Sequence, residues 1–443
     1  MTTWTTSGVL DTADLHPALR DPSLRSMNFL NEIADRHPDA ISFAPGRPYE
    51  EFFDVEAIPR YLNRFLDHQT GTRGMSRAET RRQLFQYGRT KGIIHELIAR
   101  NLAVDEGIDV DPEAVVVTVG CQEAMLVTLC ALRADDRDVV LAVEPTYVGL
   151  SGAAALLGMP VVPVRDGPDG VDLEHLAARL DAVRAEGRRP RALYVVPDFA
   201  NPSGTTMPVA TRRALLDLAE ARGFLVLEDN PYRLFGDADE RPPTLKALDR
   251  ASRVVYLGSL SKTCFPGVRI GYAVADQPVS GPDGTRTLLA DELAKVKSMV
   301  TVNTSPLAQA VAGGLLLEHD CGLVVANRRE IAVYRRNRTV LRRGLDRELG
   351  RFADAGVSWN SPAGGFFAVV RVPFVADAAA LAHSALRHGV LWTPMGDFYQ
   401  GDGGTHELRL SCSALSEDHI TDGVARLARF VADGVENGQW GQR

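Results

Sequence analysis

The chain has 443 residues, and its 49 basic and 57 acidic side chains give a formal net charge of −8. A composition that is 45% hydrophobic and 24% charged is typical of a globular protein with enough chain for two domains or one large α/β unit. The acidic balance argues against nucleic acid as a partner, and five scattered cysteines without a CxxC pair indicate neither a disulfide framework nor a metal site.

Lysine is rare, with five residues against 44 arginines: Lys91, Lys246, Lys262, Lys295 and Lys297. Codon bias in a GC-rich genome explains this for the surface. Any chemistry that needs a primary amine therefore has five side chains to choose from.

The N-terminus lacks the charged region and apolar core of a signal peptide, so none is predicted. The longest apolar stretch, residues 114–132, carries Gln122 and Glu123, which argues against a membrane span. We therefore expect reduced thiols and a cytoplasmic location.

Short apolar runs alternate with amphipathic stretches through the middle of the chain. Most runs are rich in β-branched residues and bounded by Gly, Pro or Asp, as buried strands are. They predict strands at 114–120, 137–143, 159–164, 192–197, 224–228, 254–258 and 268–275, with helices at 121–132, 173–184 and 209–222. This order predicts an α/β fold with a mostly parallel sheet sandwiched by helices.

The pattern changes after about residue 320, where an arginine-rich helical stretch at 327–349 precedes shorter strand-like pieces. We predict a large domain at 75–322 and a smaller α+β domain at 323–443. Residues 1–74 are expected to pack with the smaller domain.

The first polar segment in chain order is VVTVGCQEA, residues 116–124, where a strand stops at Gly120 and a helix starts at Cys121. Free backbone N–H groups and the helix dipole favour a phosphate there. The segment is not GxGxxG, so a dinucleotide site is unsupported. Tyr147, after the next strand, either stacks on a flat ring or is an ordinary core aromatic.

Two further segments follow predicted strands. Asn201 marks an Asn-Pro turn in PDFANPSG, where its amide could donate to a phenolate oxygen. Asp229, in EDNPY, stands where α/β sheets bind ligands, and a carboxylate beside a pyridine nitrogen would keep that nitrogen protonated. Both residues are also common turn formers, so this alternative stays open.

The segment LGSLSKTCFPGVRIGY, residues 257–272, is the most informative. Ser259, Ser261 and Arg269 offer hydroxyls and a guanidinium that suit a phosphate dianion. Lys262 lies among them, where a nearby cation and partial burial would make its amine nucleophilic. A solvated loop is the alternative. A penicillin-binding acyl enzyme with Ser259 as nucleophile would need KTG and SDN motifs that are absent.

Arg409 lies in the predicted strand HELRLSCS between two leucines. It either faces solvent on an edge strand or is buried against an anion, and the pattern does not decide between the two.

Nine segments together resemble the fold type I pyridoxal-phosphate aminotransferases, in the class I/II branch of the aspartate aminotransferase superfamily. They occur in the family's order over most of the chain: FAPGRP, QYGRTKG, VGCQEA, EPTY, PDFANPSG, EDNPY, SLSKTCFPGVRIGY, PAGGFF and ELRLSCS. The resemblance implies pyridoxal 5′-phosphate as cofactor, with Lys262 as its Schiff-base lysine.

The resemblance also implies roles for the other segments. Asp229 corresponds to the partner of the pyridine nitrogen, and Tyr147 to the stacking aromatic. The remaining cofactor contacts would be Asn201 and Tyr232 at the phenolate oxygen, and Ser259, Ser261, Arg269 and the Cys121–Gln122 backbone at the phosphate. Cys121 departs from the family's usual serine or alanine, so we expect its backbone N–H to bind there.

Further implied contacts concern the substrate and a second subunit. Arg409 matches the arginine that clamps the substrate α-carboxylate, and Gly46 matches a backbone contact near it. Tyr87 resembles the tyrosine that reaches the neighbouring subunit's phosphate, which implies a homodimer with shared active sites. Arg47, with Tyr49, Phe52 and Phe53, would border the side-chain pocket, or these residues are simply packing residues.

The implied reaction is ping-pong transfer of an amino group between an amino acid and a 2-oxo acid, with Lys262 as general base. Decarboxylation, β-elimination or oxidative deamination on the same scaffold is the alternative. A transcription regulator with this fold would need a helix-turn-helix domain before the family similarity, which starts by residue 43. An arginine with several aromatics suits a bulky, aromatic or acidic side chain. Residues 26–53 are also similar to aminotransferase-like enzymes of antibiotic biosynthesis, and we expect a bulky or aromatic substrate in specialised metabolism.

Overall fold

The structure is a computed structural model, and it describes residues 10–21, 24, 32–33, 36–237 and 241–438. Its strands are β1 (Ile41–Ser42), β2 (Val115–Val119), β3 (Asp138–Glu144), β4 (Val161–Arg165), β5 (Arg189–Val195), β6 (Leu225–Asp229), β7 (Val254–Ser259), β8 (Ile270–Val274), β9 (Pro278–Ser280), β10 (Arg286–Leu288), β11 (Ser358–Trp359), β12 (Phe367–Arg371), β13 (Val390–Leu391), β14 (Thr393–Pro394) and β15 (Glu407–Ser411).

The α-helices of the described residues are α1 (Ala57–Asp67), α2 (Arg77–Phe85), α3 (His95–Glu106), α4 (Cys121–Leu132), α5 (Val148–Leu156), α6 (Leu173–Ala185), α7 (Val209–Arg222), α8 (Leu245–Leu248), α9 (Leu289–Val300), α10 (Pro306–Glu318), α11 (Leu323–Ala326), α12 (Arg328–Leu349), α13 (Ala378–His383) and α14 (Glu417–Asn437). Within these described residues, every helix is too short or too polar to cross a membrane.

A seven-stranded sheet in the order β2-β8-β7-β6-β5-β3-β4 forms the centre of the molecule. Its neighbouring strands pair in parallel except at β8, which runs antiparallel to both β2 and β7. The predicted α/β fold with a mostly parallel sheet is therefore confirmed.

Helices cover both faces of this sheet, as the apolar strands require. Val140 packs in one buried cluster with Leu129 of α4, whereas the next residue, Leu141, packs in another with Leu215 of α7. Successive residues of a strand point to opposite faces, so the sheet is enclosed on both sides. Only the ends of its strands are left to form a site.

The carboxyl ends of the parallel strands meet at one edge of the sheet and carry the polar motifs there. Asp229 is the last residue of β6, and Ser259 is the last residue of β7. Strand β2 ends at Val119, Gly120 follows as the N-cap of α4, and Tyr147 is the N-cap of α5 after β3. Segments far apart in sequence are thereby brought to one place.

A second, antiparallel sheet has the order β11-β12-β15-β14, and the short strand β1 pairs with β13 beside it. Phe43, after β1, lies in the same buried cluster as Trp392 and Phe430. Helix α1 instead packs against α10, where a Cβ on Gly314 would lie 1.8 Å from the Tyr61 carbonyl oxygen. The N-terminal segment thus contacts both parts of the molecule, and parts of it lie outside the described residues. The domain boundaries at residues 74 and 322 stay a prediction.

Candidate active site

A cavity of about 550 Å³ opens where the carboxyl ends of the parallel strands meet. The residues predicted for the cofactor that line it are Cys121, Gln122, Tyr147, Asn201, Asp229, Tyr232, Ser259, Ser261, Lys262 and Arg269. The structure therefore brings together ten residues, and the first and last of them, Cys121 and Arg269, are 148 residues apart in the chain.

Lys262 differs from the other four lysines in its partner. Its Nζ donates to the carbonyl oxygen of Gly46 at 2.7 Å, and no carboxylate of the described residues forms an ion pair with it. The others are paired at 2.6 to 2.8 Å: Lys91 with Asp291, Lys246 with Asp276, Lys295 with Glu292 and Lys297 with Glu123. Burial, reinforced by the Arg269 and Arg409 charges, lowers the pKa of Lys262 to about 8. The predicted nucleophilic amine is therefore the lysine without a counter-charge.

Polar donors at one end of the cavity form a cup. The Ser261 backbone N–H donates to Ser259 Oγ at 3.2 Å, and Arg269 Nη1 lies 3.4 Å from Ser261 Oγ. The Arg269 guanidinium covers Gly120, where a Cβ would lie 2.3 Å from Nη2 and φ is +75°. Hydroxyls, a planar cation and a close-approaching backbone are the donor set that suits a phosphate.

Helix α4 starts at the same cup. Gly271 of β8 packs so tightly there that a Cβ would lie 2.3 Å from the Cys121 backbone nitrogen. The Cys121 thiol lies 3.5 Å from Asp229 Oδ1, so its backbone N–H is the donor left for an anion. Gln122 Nε2 donates to the Gly149 carbonyl oxygen at 2.8 Å and fixes the neighbouring helix.

Asp229 is buried at the floor of the cavity, and Tyr194 donates its phenolic O–H to Oδ2 at 2.6 Å. Burial raises the pKa of Asp229 to about 6, and the hydrogen bond from Tyr194 opposes that shift. Tyr194 was missed by the sequence analysis because a tyrosine inside an apolar β-strand is typical of a core residue. Its contact with Asp229 could have been predicted from its position in β5, because this strand pairs directly with β6.

Arg409 is buried, which decides between the two interpretations left open by its sequence. Its strand, β15, lies between β12 and β14 and is not an edge strand. The guanidinium donates to Asn201 Oδ1 at 2.6 Å and to the Ala44 carbonyl oxygen at 2.8 Å, whereas its buried Nε has no hydrogen-bond partner. Burial lowers the pKa of Arg409 to about 10, and no carboxylate of the described residues pairs with it.

Aromatic side chains pack against this cation, and two tyrosines line the cavity beside it. The Arg409 guanidinium carbon lies 4.3 Å from the centre of the Phe367 ring. Tyr232 packs edge-on against Phe367, with ring centroids 5.4 Å apart, and burial raises the pKa of its phenol. Tyr147 is partly buried, and burial raises the pKa of its phenol to about 12. Both phenols are therefore neutral hydrogen-bonding groups near neutral pH.

Tyr87 does not line the cavity of its own chain. Tyr87 is 85% exposed, and Phe85, two residues before it in the chain, is 73% exposed. Arg47 is also exposed, although its charge contributes to the lowered pKa of Lys262, and its carbonyl oxygen accepts from Ser413 Oγ at 2.5 Å.

Apolar residues of α5 form part of the cavity wall, and the sequence analysis did not single them out. They are Val148, Gly152, Ala153 and Leu156, with Leu24 of the N-terminal segment. The aromatic residues expected at the side-chain pocket do not line the cavity of the described residues. Tyr49 packs edge-on against Phe52, at 5.2 Å between ring centroids, and Phe53 packs against Phe265.

Comparison with known proteins gives a consistent result. Residues 58–427 match the family model described as aminotransferase class I and II. The chain is 55% identical over 417 residues to the (S)-3,5-dihydroxyphenylglycine transaminase of Amycolatopsis orientalis, covering 94% of this chain and 93% of that protein. It is 33% identical over 400 residues to the 2-aminoadipate transaminase of Thermus thermophilus, covering 89% and 91%.

Solved structures give the same fold. The α-aminoadipate aminotransferase of Thermus thermophilus, complexed with N-(5′-phosphopyridoxyl)-L-leucine, superposes with a TM-score of 0.74 at 30% identity, over 93% of this chain and 95% of that one. The kynurenine aminotransferase of Pyrococcus horikoshii superposes with a TM-score of 0.77 at 27% identity, over 92% and 94%.

Proposed function

The chain belongs to the class I and II aminotransferases, which use pyridoxal 5′-phosphate to exchange amino groups between amino acids and 2-oxo acids, and we propose that its amino-acid substrate is an aromatic one of the arylglycine type. The observation that carries the substrate class is the 55% identity to a transaminase of (S)-3,5-dihydroxyphenylglycine. The apolar wall of α5, which has small residues at Gly152 and Ala153, supports it because a ring needs space and an apolar surface.

The residues of the cavity fit this cofactor. Ser259, Ser261, Arg269 and the start of α4 would hold its phosphate, and Asp229 would hold its ring nitrogen. When bound, pyridoxal phosphate supplies an aldehyde that bonds covalently to an amine and a ring that accepts electrons from the substrate Cα. Tyr232 and Asn201 would donate to the ring's phenolate oxygen.

Arg409 would bind the substrate α-carboxylate. A guanidinium presents two parallel N–H groups that match a carboxylate, and this one is preset by Asn201 and the Ala44 carbonyl oxygen. Because no protein carboxylate neutralises Arg409, an anion that enters the cavity gains that interaction without breaking an ion pair. The α-carboxylate therefore orients the Cα relative to Lys262.

Lys262 would move the proton at the substrate Cα. A pKa of about 8 leaves a substantial fraction of its amine neutral near neutral pH, which a general base requires. Its hydrogen bond to the Gly46 carbonyl oxygen holds Nζ in the cavity. Asp229, kept ionised with the help of Tyr194, would hold a proton on the ring nitrogen.

We also propose that two chains form a homodimer with shared sites. The exposure of Tyr87 and Phe85 supports this, because they lie two residues apart in the chain and neighbouring exposed apolar side chains are typical of an interface. Tyr87 would then reach the neighbouring subunit's phosphate. The cytoplasmic location expected from the cysteines stays a prediction.

The substrate proposal is tested by single-turnover reaction of the holoenzyme with four amino acids: (S)-3,5-dihydroxyphenylglycine, phenylalanine, 2-aminoadipate and aspartate. The arylglycine should react fastest and release its 2-oxo acid, measured by trapping with a hydrazine. Faster reaction of aspartate or 2-aminoadipate would overturn the substrate class, and release of carbon dioxide would overturn transamination of the arylglycine.

The residue assignment is tested separately by borohydride reduction of the loaded enzyme, which fixes the cofactor to the amine that carries it. Peptide mapping should find the pyridoxyl group on Lys262. Finding it on Lys246 or Lys297 would contradict the assignment, whichever amino acid is the substrate.

A further inference from the structure

Two histidines outside the cavity are brought together by an unusual helical turn. Helix α13 ends at His383, and the residues that follow, Ser384–His388, form a π-helical turn. An α-helix would rotate residues five apart to about 140° from each other, whereas a π turn brings them onto one face. The centres of the His383 and His388 rings are 5.6 Å apart.

A carboxylate of the C-terminal helix α14 points at both rings. Asp433 Oδ2 lies 2.8 Å from His383 Nε2 and 3.2 Å from His388 Nε2. Asn437 Nδ2 donates to the other oxygen, Oδ1, at 2.7 Å and fixes the carboxylate. Three possible ligand atoms thus lie within 4.8 Å of one another, and one of them is oriented by an outer hydrogen bond.

We propose that His383, His388 and Asp433 form a zinc site that links the end of α13 to α14. Two imidazole nitrogens and a carboxylate oxygen are ligands that zinc prefers, whereas magnesium and calcium prefer oxygen alone. Zinc bonds of about 2.0–2.2 Å set tetrahedral ligand atoms about 3.3 Å apart, so small side-chain rotations from the present distances suffice.

The surroundings suit a site with three protein ligands and one water molecule. The His383, His388 and Asp433 side chains are 31%, 14% and 29% exposed, so a solvent molecule can take the fourth position. The Phe430 ring packs edge-on against His388, at 6.0 Å between centroids.

The role that follows is structural. The ligands belong to the part of the chain that carries Arg409, but none of them lines the cavity formed by the described residues. A zinc ion that binds the folded chain but not the unfolded chain would stabilise the folded state by mass action. Each imidazole must present an unprotonated Nε2 to the metal, so binding weakens as the pH falls.

The test uses the untagged holoenzyme, first treated with a chelator, since a polyhistidine tag would bind zinc itself. Zinc chloride is titrated calorimetrically, and the melting temperature is measured with and without zinc. We expect one zinc ion per chain and a zinc-dependent rise in melting temperature. Asp433→Asn and His388→Ala should each weaken binding by about tenfold or more, with transamination unchanged.

His419→Ala is the matched control, because it removes an exposed histidine of the same helix. It should bind zinc as the unaltered enzyme does. Asp433→Asn keeps the shape of the side chain, so it separates a lost ligand from a failure to fold. Absence of zinc binding, or equal binding by Asp433→Asn and the unaltered enzyme, would overturn the proposal.

Discussion

Buried cations occur in two kinds of surroundings in this chain. Arg212 and Lys297, which are fully buried away from the cavity, each face a carboxylate, Asp198 at 2.5 Å and Glu123 at 2.8 Å. Lys262, which lines the cavity, and Arg409, which contacts the cavity residue Asn201, face no carboxylate of the described residues, and burial lowers the pKa of both. A buried charge is costly unless it is paired. Arg212 and Lys297 are therefore neutralised within the chain, whereas Lys262 and Arg409 are available to pair with an anionic ligand.

The largest effect should come from replacing Lys262. Lys262→Ala removes the amine that we propose bonds the cofactor and acts as general base, so kcat should fall by about 10⁴-fold. Single-turnover kinetics on enzyme saturated with cofactor would measure it. The exposed, paired Lys295 gives the control, since Lys295→Ala should keep kcat within about twofold. Equal losses of kcat in both variants would contradict the distinction between the unpaired Lys262 and the ion-paired Lys295.

The two arginines should respond in opposite ways to replacement by methionine. Arg212→Met takes from the buried Asp198 its close ion pair and leaves it Asn230 at 3.2 Å and Arg233 at 3.8 Å, so the free energy of unfolding should fall by about 3 kcal/mol. Arg409→Met leaves only neutral acceptors, which cavity water can reach, so its loss should be clearly smaller. Its kcat/KM should instead fall by about 10–100-fold as carboxylate binding is lost.

Urea unfolding of the cofactor-free protein and steady-state kinetics would measure these two effects. A large loss of stability in Arg409→Met with unchanged KM would contradict the idea that this cation is reserved for a substrate.

A smaller effect is expected at Tyr194. Tyr194→Phe removes the donor to Asp229 Oδ2, which raises the pKa of Asp229 further above its ordinary value. Cofactor affinity near neutral pH should fall by about 3–10-fold, and the acidic limb of the kcat/KM profile should move to higher pH. Tyr256→Phe, at a buried tyrosine of β7, is the matched control. A profile unchanged from the unaltered enzyme would show that Tyr194 only fills space.

The smallest and most specific prediction concerns pH. The pKa of Lys262 is lowered to about 8 from the ordinary value of 10.5, so its amine becomes neutral at lower pH than a free lysine does. In the cofactor-free enzyme, reaction with acetic anhydride, read by mass spectrometry, should half-titrate near pH 8 at Lys262. The folded state gives up this proton before the unfolded state does, so stability should rise from about pH 8 towards 10.5. A midpoint above 10 would contradict it.

The sequence predicted the sheet, its strand order in the chain and most of the cavity because these depend on local patterns. Apolar runs of β-branched residues formed the strands, and polar residues directly after them had to meet at one edge. Asp229, Ser259 and Lys262 could be named on that basis. The resemblance to a known family then added roles that no single motif carried.

Other features depended on contacts between distant segments. Tyr194 looks like any tyrosine of a buried strand until β5 pairs with β6. The apolar wall of α5 looks like a core helix until the cavity is seen beside it. His383 and Asp433 are 50 residues apart and adjoin only because a π turn and the last helix pack together.

The five lysines show which properties the sequence determined and which ones the tertiary structure decided. The sequence by itself reduced the candidates for a reactive amine to five, and the motif around Lys262 identified one of them. Only the tertiary structure decided which lysines are neutralised, because an ion pair requires a carboxylate from another segment, as with Glu123 and Lys297. The tertiary structure also decided the surroundings of Arg409. Its strand lies inside a sheet, so its charge is buried, and no carboxylate of the described residues pairs with it.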